Sequence, residues 1–173
     1  MTNAGAFFQS VRNPLRFQFF MLLKLPAAYF SGLKVIEANE DQCSVSVPFK
    51  WFTQNPFRST YFACLSMAAE MSTGLLALAH IYKQQPPISM LVVGNEGKYY
   101  KKATGKTIFT CVNGMAIRDA VETCISTGAA QTITTKSMGY NKDKELVAEF
   151  SFTWSFKQKS YLSDTSKLPD KQA

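Results

Sequence analysis

"QNPFRSTYFACLSMAAEMSTGLLALAHIY", residues 54–82, reads as a turn-rich loop running into a long apolar helix. Asn55-Pro56 is a good turn starter. The helix is predicted from about Ser59 to Lys83 and is stopped by Pro86-Pro87. Glu70 sits in its middle, where the residues three and four positions away are Ser66, Met67, Thr73 and Gly74. None is basic, so the carboxylate has no ion-pair partner on its own helix. A carboxylate on a largely buried helix is costly unless something pairs with it or uses it. The bland reading is a structural carboxylate on a wetter helix edge, along the stripe Ser66, Glu70, Thr73, Ala77 and His80, held by Arg58 or by a lysine from elsewhere.

Outward from this segment the chain alternates helix and strand signals. Residues 14–30 carry Phe17, Phe20, Met21, Leu25 and Ala28 at helical spacing, with Pro14 suited to a first turn. Phe19, Leu22 and Leu23 fall on other faces, so this helix is expected to pack on two sides or meet a partner chain. A hairpin follows, "LKVIEA" and "QCSVSVPFK" around the turn "NED", with Cys43, Val45, Val47 and Phe49 on one face. Beyond the long helix, "ISMLVVGNEGKYYKKA" reads as a strand bent or bulged at Gly94 and Gly97. "KTIFTCV" is a short strand, "AIRDAVETCIST" a short helix ending at Gly128, and "AAQTITTKSMGY" a further strand. The last strand is the clearest, with Leu146, Ala148, Phe150, Phe152, Trp154 and Phe156 sharing one face. One antiparallel sheet wrapped around one long helix, an α+β fold, satisfies this order.

Composition narrows the class. The chain has 173 residues, enough for one domain with a real core, and is 46% hydrophobic and 18% charged. No run is read as approaching the roughly 18–20 apolar residues of a spanning helix. Lys24 interrupts the nearest approach to a signal peptide, "RFQFFMLLKLPAAYF". Cys43, Cys64, Cys111 and Cys124 show no CxxC spacing and read as packed thiols of a reducing cytoplasm. A single histidine, His80, argues against a metal site or a Ser-His-Asp arrangement. "ATGKT" at 103–107 mimics the end of a phosphate-binding loop, but the earlier glycine falls on Tyr100. No metal and no cofactor is expected. The net charge of +7 favours an anionic partner without choosing among phosphorylated small molecules, nucleic acid and acidic membrane surfaces.

The loop-to-helix segment resembles the hotdog-fold thioesterase superfamily, in its phenylacetic-acid-type branch. There an Asn-x-x-Gly-x-x-His-Gly-Gly loop enters the central helix and an acidic residue follows fifteen positions after the Asn. Here Asn55 and Glu70 are fifteen apart, and Glu70 lies in "LSMAAE". "GKYYKKATGKTIF" and "KDKELVAEFSFTW" resemble the later strands, so the likeness covers residues 33–157. It implies a hotdog domain at 33–157, to which the N-terminal helical segment at 1–32 is an addition, and the polar residues 158–173, with little to bury, are read as a flexible tail. The chain departs from the motif with Arg58 at the glycine, and with Tyr61, Phe62 and Ala63 in place of His-Gly-Gly.

What the resemblance implies for the site is specific. The Phe62 backbone N–H would be the oxyanion donor, Glu70 the general base or nucleophile, and Asn55 an orienting group. Ser89, at the start of the strand after the helix, would be a helper hydroxyl, and Arg58, Tyr61 and Ala63 would lie beside the substrate. Phe62 and Glu70 are eight residues apart, about 12 Å along a helix, so one thioester carbon cannot meet both on the same chain. They cooperate only across two chains, and a homodimer is expected, with a tetramer as its further assembly. The basic stretch Lys98, Lys101, Lys102 and Lys106 with Tyr99 and Tyr100 has three readings. It is a lysine-protected strand edge, a contact for the phosphates of coenzyme A, or, less favoured, a single-stranded nucleic-acid surface.

The expectation is therefore a cytoplasmic thioesterase acting on an acyl-CoA or acyl-carrier thioester. Its rivals are a hotdog protein that binds acyl-CoA or a fatty acyl group without turnover, and a charge-driven nucleic-acid or membrane-surface module. A dehydratase of this fold would need a histidine paired with an acid, and His80 is poorly placed for that.

Overall fold

The computed structural model describes residues 2–159. Three short helices come first: α1 (Asn3–Val11), α2 (Pro14–Lys24) and α3 (Pro26–Ser31). The hairpin β1 (Lys34–Ala38) and β2 (Cys43–Val47) leads through a 3-10 turn, Trp51–Thr53, to the long helix α4 (Phe62–Ile81). Then follow β3 (Ile88–Tyr99), β4 (Thr107–Cys111), α5 (Gly114–Thr127), β5 (Gln131–Tyr140) and β6 (Leu146–Gln158).

The six strands form one antiparallel sheet in the order β1-β2-β4-β5-β6-β3. The sheet wraps α4, which packs against five of its strands, while α1 and α5 pack on other sides of the helix. This is the hotdog arrangement. Its core is built from Phe109, Phe150, Phe152 and Phe156 of the sheet against Leu76 and its neighbours on α4. The alternation read in the last strand is met from Ala148 onward, with Ala148, Phe150, Phe152, Trp154 and Phe156 all buried; at its start Leu146 is only half-buried and Val147 is buried instead.

Two features of α4 differ from the sequence reading. The helix starts at Phe62 rather than about Ser59, because Ser59 and Thr60 are held elsewhere. Asn55 binds Ser59, and both the N–H and the hydroxyl of Thr60 donate to the Ala103 carbonyl. An 18-residue window of α4 is also long and apolar enough to cross a membrane, with mean hydropathy 1.5, contrary to the reading that no run approached this. Yet 67% of that window is buried under the sheet, so its apolar surface serves the core.

The single helix expected over 14–30 is two. Leu25 precedes Pro26, whose ring disfavours helical backbone in the residue before it, and the chain breaks there. α1 was not foreseen; Thr2 caps it by accepting from the Gly5 N–H. The bulge expected in β3 lies between Val92 and Gly94. Burial raises the Cys43 thiol to about 12 and the Cys111 thiol to about 11. All four cysteines are free and buried, and these two stay protonated and inert. The polar tail expected over 158–173 lies, beyond Lys159, outside the described residues.

Candidate functional site

The loop before α4 is tied down at several points. Thr53 Oγ1 donates to the Pro48 carbonyl at 2.7 Å, and Tyr61 N–H donates to the Thr53 carbonyl at 2.7 Å. Asn55 Oδ1 accepts from the N–H groups of Phe57 (3.0 Å) and Ser59 (3.2 Å), an Asx turn. Its Nδ2 lies 3.1 Å from Ser59 Oγ, so the whole side chain serves its own loop. Arg58 sits inside this turn at φ 58°, the left-handed conformation a glycine takes easily.

The loop delivers the N-terminus of α4 uncapped: Tyr61, at the cap, makes no side-chain cap bond. Among the described residues the N–H groups of Phe62 and Ala63 have no acceptor. They lie at the positive end of a 20-residue helix, where a developing negative charge is favoured.

Two hollows meet at Phe62. A cavity of about 790 Å³ is lined by Asn55, Pro56 and Phe57 on one side and by Tyr99, Lys101 and Lys102 on the other. A groove of about 370 Å³ runs along α4 past Phe62, Ala63, Ser66, Met67 and Glu70, with Val92, Asn95 and Phe152 as its far wall. Glu70 belongs to the groove and Asn55 to the cavity. A single chain therefore keeps Asn55 and Glu70 in separate hollows, while Phe62 lines both.

Glu70 makes no hydrogen bond and no ion pair through its carboxylate among the described residues. Burial holds its pKa above the ordinary carboxylate range. Among the described residues, the partners of the structural reading, Arg58 or a lysine, are not in place. Of the other polar groups of the stripe, Ser66 lines the groove beside Glu70, while Thr73 and His80 are engaged. Thr73 Oγ1 accepts from the Trp154 indole at 3.0 Å and donates to the Glu70 backbone carbonyl at 2.9 Å. His80, at the far end of α4, lies 3.2 Å through Nε2 from the Glu40 carbonyl.

The remaining expected residues divide. Tyr61, Lys101 and Lys102 line the cavity and Ala63 lines the groove. Lys101 also pairs with Glu145. Lys98 is exposed, pairs with Glu96 at 3.7 Å and lines neither hollow. Arg58 is exposed and also lines neither, and Ser89 Oγ donates to the Lys157 carbonyl at 3.0 Å, away from both.

Asn95 went unnoticed in the sequence. Unbroken alternation from Met90 and Val92 would turn it outward, but the bulge shifts the register so that Asn95 stands opposite the buried Phe152. The paired glycines Gly94 and Gly97 were the available signal.

A family model described as "Domain of unknown function (DUF4442)" matches residues 16–156. No curated protein matches the sequence. Solved structures do match in fold. A protein of unknown function and probable thioesterase from Pseudomonas aeruginosa is 17% identical with a TM-score of 0.71, covering 84% of this chain and 97% of that one. A protein of unknown function from Chlorobaculum tepidum is 15% identical at 0.70, covering 84% and 97%. A thioesterase from Haemophilus influenzae is 13% identical at 0.57, covering 80% and 87%. At these identities the likeness is one of fold.

Proposed function

The chain belongs to the DUF4442 family, and from its hotdog fold and the groove at Glu70 we propose that it hydrolyses an acyl thioester at a site shared by two copies. The observation that carries this reading is the Glu70 carboxylate, partly buried, unpaired, and facing an open groove. Keeping a carboxylate there costs stability, and a reaction that uses it supplies a reason for its presence.

In this mechanism the Phe62 N–H of one copy polarises the thioester carbonyl and receives its developing charge. Glu70 of the other copy takes a proton from water as the water attacks the carbonyl carbon, then returns that proton to the departing thiolate. Direct attack by Glu70, giving an anhydride that water opens, uses the same atoms. The raised pKa makes Glu70 a stronger base than an ordinary carboxylate. Asn55 shapes the loop that presents Phe62, and Asn95 faces the groove with Glu70 as a candidate partner for water or substrate.

The dimer reading is supported by β3, a 12-residue strand at one edge of the sheet that, among the described residues, pairs on one side only, with β6. A second copy added along that edge would abut the groove, since Val92 and Asn95 of β3 form its wall. Lys101 and Lys102 at the cavity suit the phosphates of coenzyme A or of a carrier's phosphopantetheine, with Lys98 farther out. Met67, Val92 and Phe152 suit a lipophilic acyl group. The four buried free thiols support a reducing compartment such as the cytoplasm.

A second reading, binding of an acyl thioester without turnover, is favoured by one specific feature. The exposed Phe62 ring stands at the helix start where the related motif has glycine, and packs edge-on to Tyr61 with centroids 4.8 Å apart. Thiol release from short to long acyl-CoA esters, wild type beside Glu70→Gln, decides between the two. Turnover abolished by the substitution supports hydrolysis; saturable binding with no turnover in either protein overturns it in favour of the second reading.

A further inference from the structure

The outward face of α2 is built the wrong way round for a helix facing water. Phe17 and Met21 are buried against the core, as an amphipathic helix requires. On the opposite side Leu15, Phe19, Leu22 and Leu23 fall within one arc about 100° wide at 3.6 residues per turn. Leu15 is 84% exposed, Phe19 63% and Leu23 61%. The apolar surface continues through the exposed Phe30 of α3, whose ring lies 6.3 Å from that of Phe52, and on to Trp51, 83% exposed. Trp51 and Phe52 lead into the loop whose Phe57, 73% exposed, lines the cavity.

The charges around this face have one sign. Residues 1–36 contain Arg12, Arg16, Lys24 and Lys34 and no acidic residue. Arg12 and Lys34 share a groove with Glu37, the first carboxylate, on the inner side of α2, which leaves Arg16 and Lys24 as the exposed cations of the helix itself. Exposed Leu and Phe flanked by Arg and Lys, with a Trp beside them, is the composition of a helix that lies in a lipid interface. A second copy docking face to face would set these cations against each other, whereas an anionic surface complements them.

We infer that α2, with Phe30, Phe52 and Trp51, is a docking face for a lipid surface carrying anionic headgroups. Leu15, Phe19, Leu22 and Leu23 enter the interface while Arg16 and Lys24 meet the headgroups. This stands apart from the thioester reading, because it depends on residues outside both hollows of the site.

The test is co-sedimentation of the full chain with vesicles of neutral phosphatidylcholine alone or mixed with phosphatidylglycerol. It is run at about 0.05 M and about 0.5 M salt, which brackets the screening of surface charge. Wild type should sediment with the anionic vesicles at low salt and far less with the neutral ones. Leu15→Gln with Leu23→Gln, at exposed sites that do not threaten folding, should weaken partitioning about ten-fold or more. Arg16→Gln with Lys24→Gln should weaken it by about ten-fold at low salt only. Val112→Gln, an exposed apolar residue elsewhere, should change nothing. Absence of wild-type sedimentation with either vesicle overturns the inference, as does full binding by the Leu15→Gln/Leu23→Gln protein. So does a fall in oligomer mass for that variant, by analytical ultracentrifugation, without wild-type vesicle binding; the face would then join copies of the chain.

Discussion

The two halves of α4 are made from similar residues and treated in opposite ways. From Met71 to His80 most side chains are buried, and the polar ones have partners: Ser72 with Ser137, Thr73 with Trp154, His80 with the Glu40 carbonyl. From Phe62 to Glu70 the helix begins without a cap, leaves two N–H groups without acceptors and ends on an unpaired carboxylate. Buried polar groups are normally hydrogen-bonded, and the second half obeys that rule, whereas the first half turns its unpartnered groups toward open hollows. The difference sets the candidate site in the first turns of the helix and the scaffold in the rest.

The sharpest way to break this comparison is to exchange the carboxylate for its amide. Glu70→Gln should lower kcat for thioester hydrolysis by about 10²–10⁴, the usual weight of a general base. The same change should leave the melting temperature at neutral pH equal or higher, since no partner is lost. A protein that keeps its turnover, or that unfolds, would make Glu70 an ordinary structural residue.

In the other half the outcome should invert. Thr73→Val keeps the shape but leaves the Trp154 indole N–H without its acceptor inside the core. That should cost about 1–3 kcal/mol in denaturant unfolding while kcat falls little. A large kcat loss with unchanged stability would move the site deeper along the helix than the groove indicates.

Legibility in the sequence followed the same division. Strong patterns, such as the alternation of residues 146–156 and the apolar helix expected over about 59–83, placed the sheet and its central helix, with the helix start three residues early. Glu70 was legible because local rules left it without a partner. What escaped depended on non-local geometry. The break at Leu25 was written in Pro26 but outweighed by the apolar spacing around it. The helix start moved because Thr60 is held by Ala103, forty-three residues away. Asn95 was hidden by a bulge whose position two glycines narrowed without fixing. The occupation of the Asn55 amide by its own turn needed coordinates, because Asn-Pro serves a turn and a site equally well.

The halves also part in their response to pH, from one cause acting on opposite charges. Burial raises the pKa of Glu70 above its ordinary 4.5 and lowers that of His80 below its ordinary 6.5. For Glu70 the folded state holds its proton more tightly. Its contribution is full below pH 4.5 and is lost as pH rises through the raised folded value. For His80 the folded state holds its proton less tightly, so stability present above pH 6.5 is lost as pH falls through the lowered folded value. Melting temperature against pH should therefore lose its decline on the rising side in Glu70→Gln, and part of its decline on the acid side in His80→Gln. Parallel profiles for wild type and Glu70→Gln would mean that the carboxylate is better solvated than its place in the groove implies.

The smallest expected effect concerns the loop that feeds the first half. Arg58 holds φ 58°, a left-handed conformation that costs an L-residue roughly 1–2 kcal/mol and a glycine little. The related motif carries glycine at this position. Arg58→Gly removes that cost but gives up some chain entropy on folding, so a net gain of about 0.5–1 kcal/mol is expected in denaturant unfolding. Because Arg58 lines neither hollow, turnover should hardly change. If turnover falls while stability rises, the guanidinium contacts the substrate or the second copy, and the residue that breaks the family's glycine would be part of the recognition surface. If both stay level, the strain is carried by the Asn55 turn around it, and Asn55→Ala should then cost more stability than the loss of one exposed turn would suggest.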